Sequence, residues 1–252
     1  MSIKTEDPVT VVQATSNVAS HGQTDFDAVA DAYDDSLPHH VMDHYQAKRI
    51  DFIKQHAPAG CKVLDVGCGT GVLAEAMVKE GYAVTGLDPF QGMLKYVKQR
   101  VPELETVHGK GEDLPFPDDT FDFTYCVAVM HHVAEKPNVR ATLMEMVRVT
   151  KPGGKVMIWD HNPRNPYWPI LMRRVPQDTG AERLIPDNEI VAGLKAGGAE
   201  TFFNQPLGLM PDFTPPRLVS TVARLETVFE KVPLLNLVGA HNVIVAIKQV
   251  MS

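Results

Sequence analysis

The sequence lacks an apolar run long enough to cross a membrane, because no stretch approaches the roughly 20 apolar residues of a spanning helix. Near its start, Glu6, Asp7 and Pro8 stand where a secretory signal would carry its apolar centre. We therefore expect a cytoplasmic protein with no integral membrane segment.

Cysteine and positive charge are also scarce. The three cysteines are an odd number, which excludes a complete disulfide framework and is typical of reduced thiols. Acidic residues number 31 and basic residues 24, so the formal net charge is −7. Proteins that bind nucleic acid through its phosphates normally carry excess Lys and Arg. We therefore expect no nucleic-acid partner.

The 252 residues are 44% hydrophobic and 22% charged, which is enough for a packed core and excludes wholesale disorder. No repeat, low-complexity segment or linker interrupts the chain. We predict a mobile polar tail over residues 1–23 and a single domain over residues 24–252. Within that domain, helical spacing from Phe26 to Ile53 predicts a helical lid over residues 24–60.

From Lys62 onward, short apolar stretches alternate with helical patterns. The predicted strands are Val63–Val66, Tyr82–Leu87, Leu104–His108, Phe121–Met130 and Lys155–Trp159. This alternation is typical of an α/β fold with a parallel sheet and helices on both faces. Right-handed crossovers then place the carboxyl ends of the strands at one edge, where ligands bind.

Residues 161–240 have a different texture, with four prolines in the loop His161–Gly180. The pattern then predicts a helix over Pro186–Gly197, a strand over Glu200–Asn204, a helical stripe over Leu218–Phe229 and a final strand over Asn242–Ile247.

A glycine-rich loop, Gly67-Cys68-Gly69-Thr70-Gly71, follows the first predicted strand. Glycines there let a ligand approach the backbone where a Cβ would collide with it. Asp88 ends the second predicted strand, 88 − 67 = 21 residues after Gly67. A carboxylate at this spacing can accept hydrogen bonds from both hydroxyls of a ribose. The loop and Asp88 together predict a ligand that contains adenosine.

Two features separate the adenosine cofactors. The dinucleotide fingerprint needs a third glycine at position 72, where Val72 stands. Asp65, just before the loop, would repel a pyrophosphate but suits a cofactor with a cationic amino group and a sulfonium. No Lys-Ser or Lys-Thr follows the glycines, which excludes a Walker loop. The sequence therefore favours S-adenosylmethionine over NAD.

From Lys62 to Asp160 the chain resembles the class I S-adenosylmethionine-dependent methyltransferases, of the small-molecule type that includes quinone-biosynthesis enzymes. The matching motifs are Asp65–Gly71, Gly86–Asp88, Glu112–Phe116 with Phe121-Asp122, Val129–Val133 and Arg148–Gly154. The resemblance implies a Rossmann-like seven-stranded sheet, mostly parallel, with an antiparallel last strand. It also implies S-adenosylhomocysteine as a product.

The resemblance implies roles for individual residues. Asp65 and the backbones of Gly67 and Cys126 would hold the methionine amino group, Asp88 would bind the ribose, and Pro89 would line the adenine. Many relatives have Asp-Ala where Lys110-Gly111 stands, so Glu112 or Asp113 would accept from the adenine amine. Tyr33 would close over the methionine end or else be a core tyrosine. The predicted cofactor-binding set is Tyr33, Asp65, Gly67, Cys68, Gly69, Asp88, Pro89, Gly111, Glu112 and Cys126.

Three histidines are candidates for acceptor chemistry. A general base is needed only when the acceptor holds its proton at neutral pH, as an alcohol does. His131 and His132 end the predicted fourth strand and His161 follows the fifth, so we expect all three at the ligand edge. We predict that His132 is structural, and that His131 and His161 are either catalytic bases or polar lining. Adjacent histidines do not point at one centre, so we predict no catalytic metal.

The resemblance also suggests a place for residues 161–240, as loops and a helix on the acceptor side. Their apolar residues, among them Phe202, Phe203 and Met210, either roof an acceptor pocket or pack on the sheet edge. A roof would suit a small apolar or aromatic acceptor. The predicted activity is methyl transfer to such an acceptor, with oxygen favoured and nitrogen or carbon left open. The alternatives are a non-catalytic S-adenosylmethionine-binding module and an NAD-linked oxidoreductase.

Overall fold

The computed structural model describes residues 24–175 and 177–250, so the tail predicted over residues 1–23 lies outside the described residues. The strands are β1 (Lys62–Val66), β2 (Ala83–Asp88), β3 (Glu105–His108), β4 (Phe121–Val127), β5 (Thr150–His161), β6 (Ala199–Leu207) and β7 (His241–Lys248). They form one sheet in the order β3-β2-β1-β4-β5-β7-β6. Strands β1 to β5 pair in parallel, and β7 runs antiparallel to both of its neighbours. The predicted fold class is confirmed.

Helices cover both faces of the sheet. They are α1 (Phe26–Val29), α2 (His39–His56), α3 (Val72–Lys79), α4 (Gln91–Arg100), α5 (Met130–Val133), α6 (Lys136–Val149), α7 (Trp168–Leu171), α8 (Asp187–Ala196) and α9 (Val219–Phe229). Successive residues of β1 face opposite layers: Val63 packs in the layer that contains Ile53 of α2, and Leu64 in the layer that contains Leu143 of α6. Burial on both faces explains why the central strands read as continuous apolar runs.

The fourth and fifth strands end at other residues than the sequence predicts. Strand β4 ends at Val127 because Ala128 adopts a φ of 57°, and α5 begins two residues later. His131 and His132 therefore lie on a one-turn helix after the strand, instead of at its end. Strand β5 extends to His161 and so carries Asp160 to the carboxyl edge of the sheet.

The chain order of the strands reverses between β1 and β4, which are neighbours in the sheet. The loops that leave these two strands diverge and open a crevice at their carboxyl ends, where ligands bind in open α/β sheets. The glycine loop follows β1 and Ala128 follows β4, so both border this crevice.

Some of residues 161–240 border the crevice and others lie away from it. Phe202 and Phe203 lie on β6, whereas Met210 packs with Val41 and Tyr45 of α2 in a small apolar cluster that α9 also contacts.

In residues 24–175 and 177–250, no helix combines the length and the apolar character that crossing a bilayer requires.

Candidate active site

The glycine loop has a backbone that favours glycine at three positions. Gly67, Gly69 and Gly71 have φ values of 74°, 55° and 83°. A Cβ on Gly67 would lie 2.5 Å from Cγ2 of Val129, so packing also excludes a side chain there. A Cβ on Gly69 would meet only Tyr33, 3.9 Å from Cε1. The space in front of Gly69 is therefore open to a ligand that contacts the backbone.

Asp88 lies beside this loop at the end of β2. Its Oδ2 accepts a hydrogen bond from the backbone N–H of Gly69 at 2.9 Å, and its Oδ1 accepts one from Phe90 at 2.9 Å. Burial raises the pKa of the Asp88 carboxyl to about 6 against the effect of these two hydrogen bonds. The carboxylate is thus fixed in position at the crevice.

Asp88 lines a cavity of about 220 Å³, which we call the Asp88 cavity. Pro89, Gly111 and Glu112 line the same cavity, as does Lys110. A Cβ on Gly111 would lie 2.7 Å from Cγ2 of Thr142, so this glycine permits close packing of the cavity wall. The structure thus brings together the residues that the sequence assigned to ribose and adenine.

A second cavity, of about 210 Å³, lies beside the first and is called the His131 cavity. Asp65, Cys68, His131 and His161 line it. The wall residues that both cavities share are Tyr33, Gly67, Gly69, Ala128 and His132. A ligand in the Asp88 cavity can therefore reach the His131 cavity across the glycine loop, beside Tyr33.

Asp65 is a buried polar group at this junction, and Tyr33 is half-buried there. The Tyr125 hydroxyl donates a hydrogen bond to Oδ2 of Asp65 at 2.9 Å, while burial raises the pKa of the Asp65 carboxyl to about 7. Burial and the nearby Asp88 raise the pKa of Tyr33 to about 12. Tyr33 therefore keeps its proton at neutral pH, and a cationic ligand group near Asp65 would favour the ionised carboxylate.

Cys126 does not line either of these two cavities in the described structure. It is buried in the apolar layer beneath the crevice, and its neighbours in sequence, Val127 and Ala128, line the His131 cavity. The role predicted for Cys126 concerns its backbone and stays a prediction.

His131 is held by a buried carboxylate. Its Nδ1 lies 2.6 Å from Oδ1 of Asp160, and its backbone N–H donates to Oδ2 of Asp160 at 3.1 Å. A carboxylate can only accept, so the proton of the neutral ring sits on Nδ1 and Nε2 is left as the acceptor. Burial opposes protonation of the ring, but Asp160 outweighs it and raises the pKa of His131. This pairing resembles a general base held by an orienting carboxylate.

His161 and His132 lie on either side of His131, with ring centroids 4.0 Å from it in both cases. Burial, together with the charge of a protonated His131, holds the pKa of each ring well below its usual range. The Nδ1 of His161 is buried without a hydrogen-bond partner in the described part of the chain. Both rings are therefore neutral at physiological pH.

The closeness of these rings corrects the argument about adjacent histidines. His131 and His132 share the single turn of α5 and do approach one another. Two groups of side chains have ligand atoms within 4.8 Å of one another, namely His131 with His132 and Asp178, and His131 with Asp160 and His161. The absence of a catalytic metal stays a prediction.

Sequence reasoning missed Arg49 and His241, which line the His131 cavity, and Asp160, which contacts His131. Asp160 could have been found, since a carboxylate that ends a parallel strand lies at the ligand edge. Arg49 was part of an apolar helical stripe, and His241 directly precedes the predicted last strand. Nothing in their local sequence predicts that Arg49 and His241 line the same cavity.

Comparisons with known proteins agree with this geometry. Residues 64–158 match the family described as Methyltransferase domain. A demethylmenaquinone methyltransferase of Lysinibacillus sphaericus is 39% identical over 147 residues, which are 55% of this chain and 61% of that protein. One of Streptomyces griseus is 34% identical over 171 residues, 64% of this chain and 72% of that protein. The chain therefore spans less than two thirds of the first relative and more than two thirds of the second.

A solved S-adenosylmethionine-dependent methyltransferase of Thermotoga maritima has the same fold. It superposes with a TM-score of 0.64 at 19% identity, covering 89% of this chain and 98% of that chain. At this level of identity, the likeness extends to the fold alone.

Proposed function

Because the chain belongs to the class I S-adenosylmethionine-dependent methyltransferases, we propose that it transfers a methyl group to a hydroxyl oxygen of a small, largely aromatic or apolar acceptor. The observation that carries this proposal is the contact of Asp160 with His131, which lines a cavity that adjoins the glycine loop. S-adenosylmethionine supplies the methyl group as a sulfonium, and S-adenosylhomocysteine is the product.

The residues of the Asp88 cavity fit the adenosine part of this cofactor. Asp88 is fixed by two backbone N–H groups and keeps lone pairs for a ribose hydroxyl. The open space at Gly69 lets the ligand lie against the backbone. Asp65 would hold the methionine amino group, because the buried carboxylate needs a cation to offset its desolvation.

The walls of the His131 cavity support an apolar or aromatic acceptor. Apolar side chains make up much of the wall, including Leu37, Val41, Leu73, Leu171, Val175 and Met210. Tyr45, Tyr167 and Trp168 add aromatic surface. A flat ring in this cavity would place a substituent near His131. Together with the net charge of −7, these walls favour a small-molecule acceptor over a nucleic acid. We propose that the enzyme acts in the cytoplasm.

His131 would remove the proton of the acceptor hydroxyl. As the oxygen attacks the methyl carbon, the carbon–sulfur bond breaks and the proton passes to Nε2 of His131. Asp160 then stabilises the imidazolium through its contact with Nδ1. General-base catalysis of this kind contributes about 10²–10⁴ in rate, and alignment of the reactants contributes the rest.

The test is product formation with purified protein, S-adenosylmethionine and a panel of hydroxylated aromatic compounds, each beside the matching amine. Mass spectrometry of the acceptor should show methyl ethers and one S-adenosylhomocysteine for each. Methylation at nitrogen or carbon would contradict the assignment to oxygen. Tight S-adenosylhomocysteine binding without turnover on any acceptor would indicate a non-catalytic binding module instead.

A further inference from the structure

Arg49 of α2 is a cation inside the His131 cavity without a charged partner. Its Nε–H is buried and donates to no partner, and Arg49 makes no hydrogen bond or ion pair with any residue in 24–175 or 177–250. The guanidinium carbon lies 5.8 Å from the ring centre of Tyr45 and 5.9 Å from that of Trp159. Arg49 therefore sits among aromatic rings and faces the cavity.

The neighbouring groups in residues 24–175 and 177–250 give Arg49 no direct ion pair. His161 and His241 are neutral, because burial holds the pKa of each ring well below its usual range. Asp160 is the nearby carboxylate and attracts the guanidinium at longer range, but its two oxygens contact His131 and the backbone and not Arg49. An arginine does not deprotonate in proteins, so this end of the cavity carries a positive charge.

A buried charge is costly unless it is paired, and a binding cavity can supply the partner with its ligand. The guanidinium fork matches a carboxylate with two parallel hydrogen bonds. His161 and His241 line the same cavity, and each has a buried Nδ1 without a hydrogen-bond partner in the described part of the chain. A neutral imidazole can donate one further hydrogen bond to an anion.

We propose that Arg49, with His161 and His241, binds an anionic group of the acceptor, so that the substrate is an aromatic hydroxyl compound bearing a carboxylate. This inference rests on the proposed function and names its substrate class. The methionine part of the cofactor also has a carboxylate, which is a second source of the same chemistry. Arg49 contacts Trp159 of β5 and lies near His241 of β7, whereas the cofactor loop follows β1. His161 and His241 line the acceptor side with it, but Arg49 also interacts with Tyr33 where the two cavities meet, so binding measurements have to separate the two carboxylates.

The first experiment separates the two carboxylates. Calorimetry compares S-adenosylhomocysteine with 5′-methylthioadenosine, which lacks the amino-acid part, in the wild type and in Arg49→Gln. We expect each affinity to change less than about twofold. A selective loss of S-adenosylhomocysteine binding of about tenfold or more would assign Arg49 to the cofactor and overturn the proposal. If the wild type binds neither S-adenosylhomocysteine nor 5′-methylthioadenosine, the proposed function itself is contradicted.

The second experiment measures recognition of the acid. The probes are 3-hydroxybenzoate, 4-hydroxybenzoate and 1-hydroxy-2-naphthoate, each beside its methyl ester, with S-adenosylhomocysteine present. In the wild type, at least one acid should bind about tenfold more tightly than its ester. In Arg49→Gln, the ratio of the affinity for the acid to that for the ester should fall close to one. Arg49→Lys should give an intermediate ratio because it keeps the charge without the fork.

Arg140→Gln is the matched control, because Arg140 is an exposed arginine on α6 outside the cavity. It should leave the acid-to-ester ratio unchanged. The proposal is overturned if no acid binds better than its ester in the wild type, or if the preference survives in a folded Arg49→Gln protein. Where Arg49→Gln fails to fold, Arg49→Lys makes the same comparison, and an unchanged acid-to-ester ratio in it would overturn the proposal.

Discussion

At the scale of single residues, His131 and His161 lie side by side, yet their surroundings shift their pKa values in opposite directions. Asp160 raises the pKa of His131 above 6.5 in spite of burial, whereas burial lowers that of His161 well below 6.5. A base must be deprotonated to act, so the rate rises with pH through the pKa of the true base. The pH–rate profile therefore distinguishes the two residues.

We expect kcat to rise through a pKa above 6.5, because Asp160 makes His131 the better base. His131→Gln should lower kcat by about 10²–10⁴ and spare S-adenosylhomocysteine affinity. His161→Gln is the neighbouring control and should keep this inflection. An inflection below 6.5 that disappears in His161→Gln would assign the base to His161 instead.

Asp65 and Asp88 should give cofactor binding its own pH dependence. Burial raises the pKa of Asp65 to about 7 and that of Asp88 to about 6. A cationic amino group binds the ionised form of Asp65, so affinity is full above the pKa and falls as the pH drops through it. S-adenosylhomocysteine should therefore bind more weakly as the pH falls through about 7. 5′-Methylthioadenosine should respond only to Asp88, near pH 6.

Calorimetry at a series of pH values checks this, and Asp65→Asn is the informative variant. It should remove the step near pH 7 for S-adenosylhomocysteine and leave the 5′-methylthioadenosine curve unchanged. Identical curves for the two ligands in the wild type would show that Asp65 does not hold the amino group.

At the scale of elements, the glycine loop was predictable because its constraint is local. Positive φ angles at the alternate positions Gly67, Gly69 and Gly71 favour glycine whatever lies around them. The turn at Ala128 was not predictable, since alanine is rare at a φ of 57° and only the surrounding fold holds it there. The sequence consequently misplaced His131 on a strand, although it placed it at the correct edge of the sheet.

Gly69→Val tests the loop against a matched glycine. Gly81 also has a positive φ, and nothing lies within 4 Å of a Cβ built on it. Both valine variants should lose roughly 1–2 kcal/mol of stability through left-handed backbone strain. Only Gly69→Val should also abolish S-adenosylhomocysteine binding in calorimetry, because its side chain fills the ligand space. Equal affinities in the two variants would make the loop an ordinary turn.

Glu226 of α9 attaches that helix to α2. It accepts hydrogen bonds from His44 and Lys48 and from the backbone N–H of Leu209. Burial alone would raise its pKa, but these partners hold the pKa of Glu226 at about 2. A depressed pKa contributes stability above the unfolded value, near 4.3, and loses it as the pH falls towards the folded value.

Glu226→Gln should therefore lower the free energy of unfolding by roughly 1–3 kcal/mol at neutral pH. The difference from the wild type should shrink as the pH falls from about 4.3 towards about 2. Urea unfolding at several pH values measures it, with Glu103→Gln as an exposed control that should change little. A constant difference across that range would mean that packing, and not charge, attaches α9.

At the scale of the whole molecule, the sheet could be predicted because consecutive βα units pack next to each other and their crossovers are right-handed. The pairing of His131 with Asp160 could not, because it joins the one-turn helix after β4 to the end of β5, 29 residues apart in the chain. The place of Arg49 in the cavity could not be predicted from the sequence either. Its helical spacing fits an apolar stripe, and only the packing of α2 over β5 and β7 turns it towards a cavity.

The two cavities also connect distant parts of the chain, from Thr24 to His241. A ligand that spans them binds the folded state alone, so it should raise the melting temperature. With S-adenosylhomocysteine at about 100 times its Kd, linkage gives about 2.7 kcal/mol. For a chain of this size, that corresponds to a shift of roughly 5–10 °C.

NAD is the discriminating comparison in the same thermal scan. Its pyrophosphate would face Asp65, and Val72 stands where the dinucleotide fingerprint needs its third glycine. We therefore expect no shift with NAD at a matched concentration. With S-adenosylhomocysteine, Asp88→Ala should show a clearly smaller shift than the wild type, because it loses the ribose contact. If NAD raised the melting temperature as much as S-adenosylhomocysteine does, Asp88 would bind a ribose that both cofactors contain. The choice between them would then have to lie outside the glycine loop.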